Sequence, residues 1–160
     1  MKELHIIRHA KTERIQPNQR DYDRALTERG QLQCLDLVNF LTSSWQEVDL
    51  ILVSAAKRTQ MTYDALSPIL NGKKMLILPE LYLASATEIM NIIKDLAADN
   101  QSIALIGHND GLSDLVSYFL DDYQHVPTSG YIHLEFEVED WSHIIRGSGV
   151  LIKYFFSQMR

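Results

Sequence analysis

Cysteine is almost missing from this chain. Cys34 stands alone among 160 residues, so no disulfide framework can form within it. An excess of basic residues is missing too. Fifteen Lys and Arg against 21 Asp and Glu leave a formal charge of −6, which argues against a nucleic-acid partner, because phosphate neutralisation requires a basic face. No apolar run approaches the roughly 18 to 20 residues of a membrane-crossing helix, so no membrane partner is expected. No internal repeat, low-complexity tract or linker-like shift in composition interrupts the chain. The first apolar run begins almost at the N-terminus and leaves no room for a secretory leader. With a single cysteine, this predicts a reducing, cytoplasmic setting. What remains is ordinary globular composition, 46 % apolar and 22 % charged, at a length that suits one domain over residues 1–160.

The order of elements can be read from periodicity and punctuation. Leu4-His5-Ile6-Ile7 is a short apolar run of the buried-strand type and leads directly into Arg8-His9. Residues 13–24 are polar and carry Pro17 and Asn18, which predicts a loop; Arg14, Arg20 and Arg24 either line its rim or are simply solvated. Thr27 is a plausible N-cap for a helix to about Phe40, with Gly30 a weak point in its first turn. Val48–Val53 predicts a second strand ending at Ser54, followed by a helix over residues 55–70 that Pro68 interrupts. Met75–Leu78 predicts a third strand, stopped by Pro79. Ser85 and Glu88 have capping-box spacing before an amphipathic helix. Ser102–Gly107 and Gly111–Leu120 predict a fourth strand and a fourth helix. Residues 131–138 and 149–157 alternate polar and apolar and predict two antiparallel edge strands. Four βα units and a hairpin imply a three-layer α/β/α sandwich, its sheet mostly parallel with an antiparallel C-terminal edge.

Open α/β sheets bind ligands beyond the carboxyl ends of their strands. In this reading all four parallel strands deliver an ionisable group there. The first supplies Arg8 and His9, the second Ser54 and then Arg58, the third Glu80, and the fourth His108 followed by Asn109. Two arginines, two histidines and a carboxylate suit phosphoryl transfer, in which negative charge spreads over three oxygens and must be met by donors. A guanidinium offers a planar fork to such oxygens. His9 would attack as the neutral imidazole and His108 would help most as a cation, so their environments should separate their pKa values. This chemistry needs no metal or other cofactor.

The segments Arg8-His9-Ala10-Lys11-Thr12, Asp23–Gly30, Ser54–Thr62, Pro79-Glu80-Leu81, Gly107-His108-Asn109 and Pro127–Gly130 resemble, in order, those of the histidine phosphatase superfamily. Within it the likeness is to the small SixA-type phosphohistidine phosphatases. The resemblance implies a phosphoglycerate-mutase-like fold, phosphorylation of His9, and phosphate held by Arg8, Arg58 and His108, with Asn109 a further contact. It implies as partner a phosphorylated protein, a phosphorelay or phosphocarrier component, or else a small phosphate ester. Glu80 stands where larger relatives keep a leaving-group acid. Only twenty-seven residues separate it from His108, too few for the helical lid of those relatives, which implies an open pocket. Ile15 stands where many relatives have asparagine, and Asp110 replaces a common proline, acting as an acid or as a helix cap.

Several bland readings remain beside this one. His5, His125, His133 and His143 read as structural or surface residues, since no carboxylate or cysteine stands at metal-ligand spacing from them. Trp141, Phe155 and Phe156 read as core at the sheet edge. Ser54 lacks the flanking glycines of a nucleophile elbow, which speaks against a serine hydrolase.

Overall fold

The computed structural model describes residues 1–159. Six strands form one sheet: β1 (Lys2–Arg8), β2 (Leu50–Ser54), β3 (Met75–Leu78), β4 (Ser102–Gly107), β5 (Tyr131–Phe136) and β6 (Val150–Phe155). Their spatial order is β3-β2-β4-β1-β5-β6. The first four run parallel, while β5 pairs antiparallel with both β1 and β6. Four helices flank the sheet: α1 (Glu28–Leu41), α2 (Lys57–Leu66), α3 (Ala86–Leu96) and α4 (Gly111–Leu120).

The two-residue side-chain period of the strands divides the core. Leu4 and Ile6, Leu50 and Leu52, and Ile103 and Leu105 pack with Ile89, Ile93, Leu112 and Leu115 of α3 and α4. Ile7, Ile51, Val53, Ala104 and Ile106 face the other way, onto Cys34, Leu37, Leu41 and Leu66 of α1 and α2. This is the α/β/α sandwich that the apolar runs predict.

The boundaries differ where turn chemistry intervenes. Helix α2 covers ten residues rather than the sixteen expected. Its N-cap, Ala56, is extended; at the other end Ser67 keeps helical backbone but bonds Asp64 in a tighter i→i−3 turn, and Pro68 has no N–H to continue the ladder. Val48 makes only an isolated bridge, to Gly72, so β2 starts two residues late. Strands β5 and β6 are each shorter than their alternating stretches, and a register shift lies between His133 and Leu134. Trp141 is buried in a single 3-10 turn on the connection between them. The capping box forms as read, with Ser85 and Glu88 bonding reciprocally.

Gly30 owes its place to close approach. A Cβ there would lie 2.3 Å from the carbonyl oxygen of Lys11. The Thr27 hydroxyl caps α1 through the Gly30 N–H, and the Thr27 N–H bonds to that same Lys11 oxygen at 2.9 Å. The start of α1 thus presses the segment that follows β1 into place. Gln33, fully buried, accepts from the Lys11 N–H at 2.8 Å.

Candidate active site

A cleft of about 450 Å³ opens at the carboxyl ends of the parallel strands. Arg8, His9, Arg58, His108 and Asn109 line it, together with Lys11, Thr12, Asp21, Arg24, Leu83 and Thr128. A larger depression of about 700 Å³ lies over α3 and α4, but its lining contains neither a histidine nor any of the strand-end residues.

Backbone pairing fixes the floor of the cleft. The His9 N–H donates to Gly107 on β4, and the Ser129 N–H donates to the His9 carbonyl. The His9 ring lies 2.8 Å from its neighbour's carbonyl, Nδ1 to Ala10 O. A carbonyl can only accept, so Nδ1 carries the proton and Nε2 keeps its lone pair. Burial, followed by the charges of Arg8, Arg58 and Arg24, lowers the His9 pKa to about 3 despite the opposing effect of that carbonyl. His9 is therefore a neutral imidazole of defined tautomer, with Nε2 free to act as a nucleophile, at ordinary pH.

His108 lies beside it, with ring centroids 5.3 Å apart. Its Nε2 is 2.7 Å from the Ser54 hydroxyl, and its buried Nδ1 has no partner among the described residues. The Ser54 hydroxyl also accepts, weakly, from the Ala56 N–H at 3.5 Å, and the only acceptor it meets among the described residues is the His108 ring. Ser54 therefore donates to Nε2 and leaves Nδ1–H as the free donor of the ring. Burial lowers the pKa of His108 to about 3 as well, helped by His9, Arg58 and Arg8 and opposed by Asp21. The expected separation of pKa values is not found. The same desolvation acts on both rings, and what distinguishes them is the tautomer: His9 presents a lone pair and His108 a proton.

The guanidinium groups are held but not saturated. Arg8 Nη1 donates to the Val126 carbonyl at 3.2 Å, and Arg58 donates to the Asp21 carbonyl and carboxylate at 2.8 and 2.9 Å. The Nε atoms of both are buried without partners among the described residues. Arg58 is only 2 % exposed. Two buried Nε–H groups and the His108 Nδ1–H lack an acceptor among the described residues, on side chains that border a cleft lined by four cations. Such a set suits a tetrahedral oxyanion, since unmatched buried donors are otherwise unfavourable. Among the described residues, no group of three or more potential metal-ligand side chains comes together in the cleft.

Asp21 is the residue that sequence reasoning missed. Its carboxylate joins Arg58, Arg24 and the Tyr82 hydroxyl, and these partners hold its pKa down at about 2 against the effect of burial. Its three-residue spacing from Arg24, within a loop already rich in arginine, was the available signal. Of the loop arginines, Arg24 reaches the cleft and also bonds Thr12, whereas Arg20 pairs with Asp23 in solvent and Arg14 is exposed.

Three other expected positions are placed or engaged differently. Glu80 sits in a 3-10 turn (Pro79–Leu81), exposed and outside the cleft lining, because Pro79 turns the chain at once and it is Leu81 that is buried. Asp110 makes no side-chain cap to α4 and stays exposed, although its charge reaches Arg8. Asn109 does line the cleft, but its amide is committed elsewhere. It accepts from the Ser113 N–H and hydroxyl and donates to Val126 O, tying the start of α4 to the Val126 segment.

A family model for the histidine phosphatase superfamily, branch 1, matches residues 4–82. No curated protein matches by sequence. Among solved structures, the chain is similar to a candidate phosphohistidine phosphatase SixA from Nakamurella multipartitia, with 20 % identity, TM-score 0.81, and 98 % of this chain and 96 % of that one covered. It is similar also to the protein histidine phosphatase SixA complexed with tungstate (22 % identity, TM-score 0.78, 95 % of each chain). A candidate α-ribazole-5'-P phosphatase from Escherichia coli K-12 aligns at 17 % identity and TM-score 0.66, over 88 % of this chain and 93 % of that one. The chain thus resembles the histidine phosphatase superfamily over the segment that carries Arg8, His9 and Arg58, and it shares the fold of these phosphatases along nearly its whole length.

Proposed function

We propose that the protein is a metal-independent phosphatase that removes phosphate from protein phosphohistidine through a phosphoryl group carried on His9. In the first step His9 Nε2 attacks phosphorus as the P–N bond to the substrate imidazole breaks. The substrate ring, protonated on its second nitrogen, leaves neutral. In the second step water attacks the phosphoryl group on His9, the bond to Nε2 breaks with its electrons returning to the ring, and dihydrogen phosphate departs. Arg8, Arg58 and His108 meet the three equatorial oxygens in both steps.

One observation carries the choice of substrate class. The only carboxylate lining the cleft among the described residues, Asp21, is held ionised by Arg58, Arg24 and Tyr82 and has no proton to give at neutral pH. An alkoxide leaving group would depart without help, whereas a neutral imidazole needs none. The open cleft supports the same reading. Between Leu81 and β4 the one long helix is α3, which packs against α4 rather than over the cleft. The fold likeness to SixA, a protein that binds tungstate, is consistent with a tetrahedral anion in this position.

The test pairs turnover with trapping. Phosphorylated phosphocarrier and phosphorelay proteins should be dephosphorylated, aryl phosphates with acidic phenols turned over slowly, and sugar and nucleotide monophosphates hardly at all. Rapid quench should trap an acid-labile phosphoryl group on the wild type and none on His9→Ala. Fast turnover of alkyl phosphates would identify a small-ester phosphatase instead, and tight phosphoprotein binding without trapping or turnover would identify a binding module.

A further inference from the structure

Near the opposite end of β1 from the cleft, four ionisable side chains share one patch of the sheet. Across the antiparallel β1–β5 pair, Glu3 stands opposite Glu135 and His5 opposite His133. The strand period places all four on one face. Two carboxylates directly opposed repel one another unless a cation stands between them. Lys153, the β6 neighbour of His133, forms no ion pair with either carboxylate among the described residues.

His133 supplies the second observation. It is only 9 % exposed, and its Nε2 is buried with no hydrogen-bond partner among the described residues. That atom lies 3.3 Å from Glu3 Oε1. Potential ligand atoms of Glu3, His133 and Glu135 all fall within 4.8 Å of one another. Two ligands about 2.1 Å from a common ion at tetrahedral angles stand about 3.4 Å apart. Glu3 and His133 already have that separation, and rotation of the half-buried Glu135 side chain closes the remainder. The His5 ring stacks on His133 at 4.1 Å and is itself held by the Tyr131 hydroxyl at 2.8 Å, which fixes the plane of the imidazole. A cavity of about 250 Å³ bordered by Glu3, Trp45 and His133 leaves room for water at a fourth position.

We propose that Glu3, His133 and Glu135 bind one divalent transition-metal ion, for which one imidazole and two carboxylates make Zn²⁺ the first candidate. The ion would brace β1 against β5 at a point roughly 20 Å from His9 along the strand. Local spacing in the sequence could not reveal the site, because its outer members, Glu3 and Glu135, stand 132 positions apart and only strand pairing unites them.

The full chain, stripped with EDTA, would be titrated with Zn²⁺ by calorimetry and with Co²⁺ by visible absorption. The expected result is one ion per chain, the d–d bands of a low-coordinate Co²⁺ site, and a raised unfolding midpoint. Glu3→Gln and Glu135→Gln should each weaken binding by more than the about 10–100-fold that loss of an outer-shell partner produces. Their metal-free midpoints should be unchanged or higher, since either substitution relieves a repulsion. His9→Ala should bind as the wild type does. Absence of stoichiometric binding, binding that survives both glutamine variants, or binding lost in His9→Ala would overturn the proposal.

Discussion

Ser54→Ala isolates the element of the cleft that distinguishes its two histidines. The hydroxyl donates to His108 Nε2 at 2.7 Å, and the ring is otherwise unpartnered among the described residues. Removing it leaves a buried ring nitrogen unsatisfied, which should lower stability by about 1–3 kcal/mol. The catalytic consequence follows from the tautomer. A net hydrogen-bond preference of about 1–1.5 kcal/mol holds the proton on Nδ1, so its loss frees roughly a tenfold excess of that tautomer. The fraction of enzyme presenting a lone pair rather than a proton to the phosphoryl oxygens then rises to a large share. We expect kcat/KM to fall by about twofold, far less than the about 10²–10³ expected for His108→Ala, where the donor is gone altogether. The assay is steady-state hydrolysis of an aryl phosphate from pH 5 to 8, with both variants beside the wild type. The Ser54→Ala defect should stay constant over that range, because burial holds the His108 pKa at about 3 and the ring remains neutral throughout. Unchanged activity, or a defect equal to that of His108→Ala, would refute the assignment of the tautomer to Ser54.

Three further outcomes follow from the same structure. His5, His9 and His108 are each held down to about 3, chiefly by burial, so the unfolded chain takes up protons that the fold refuses. Stability should therefore fall as pH drops below about 6.5 and keep falling towards 3, with a slope approaching about 4 kcal/mol per pH unit for three protons; urea midpoints between pH 7 and 5 measure it, and a slope of one proton or less would contradict these burials. Glu80→Gln should leave kcat/KM within about twofold in the same hydrolysis assay, because the side chain is exposed and outside the cleft. Gly30→Ala, which drives a methyl group to 2.3 Å from a backbone oxygen, should lower the unfolding free energy by about 1–3 kcal/mol in a urea titration, and activity with it, since Lys11 and Thr12 line the cleft.

How far the sequence reveals this molecule depends on the range of the physics involved. Strands β1, β3 and β4 and the capping box of α3 are written locally, in apolar runs stopped by Arg8, Pro79 and Gly107 and in the Ser85–Glu88 spacing. Once four strands are placed side by side, the meeting of Arg8, His9, Arg58 and His108 follows from topology. Glu80 shows the limit of that logic. A strand end indicates where a side chain begins, but Pro79 turns the backbone within one residue and sends Leu81, not Glu80, inward. Asp21 shows the converse: its loop has no periodicity to read, and its place is set by three partners, two of which, Arg58 and Tyr82, lie 37 and 61 residues away. The charge states of the histidines were beyond the sequence altogether, since burial decides them.

Asp21 also explains how an acidic chain can hold four cations around one small cleft. Arg58 is almost wholly buried, and a guanidinium so placed must be paired or it destabilises the fold. Asp21 meets that need with two hydrogen bonds to Arg58 while also engaging Arg24 and Tyr82. The Arg58 Nε–H stays free, as do the Arg8 Nε–H and the His108 Nδ1–H. Charge is thus partly neutralised from the side of Asp21 without using up every donor. An arriving phosphoryl group meets unspent hydrogen bonds rather than an unpaired charge, and the same carboxylate, fixed in its ionised form, is unable to act as the acid that an alkyl phosphate would require. Under the proposed reaction, one residue would both pair Arg58 and narrow what the site can cleave.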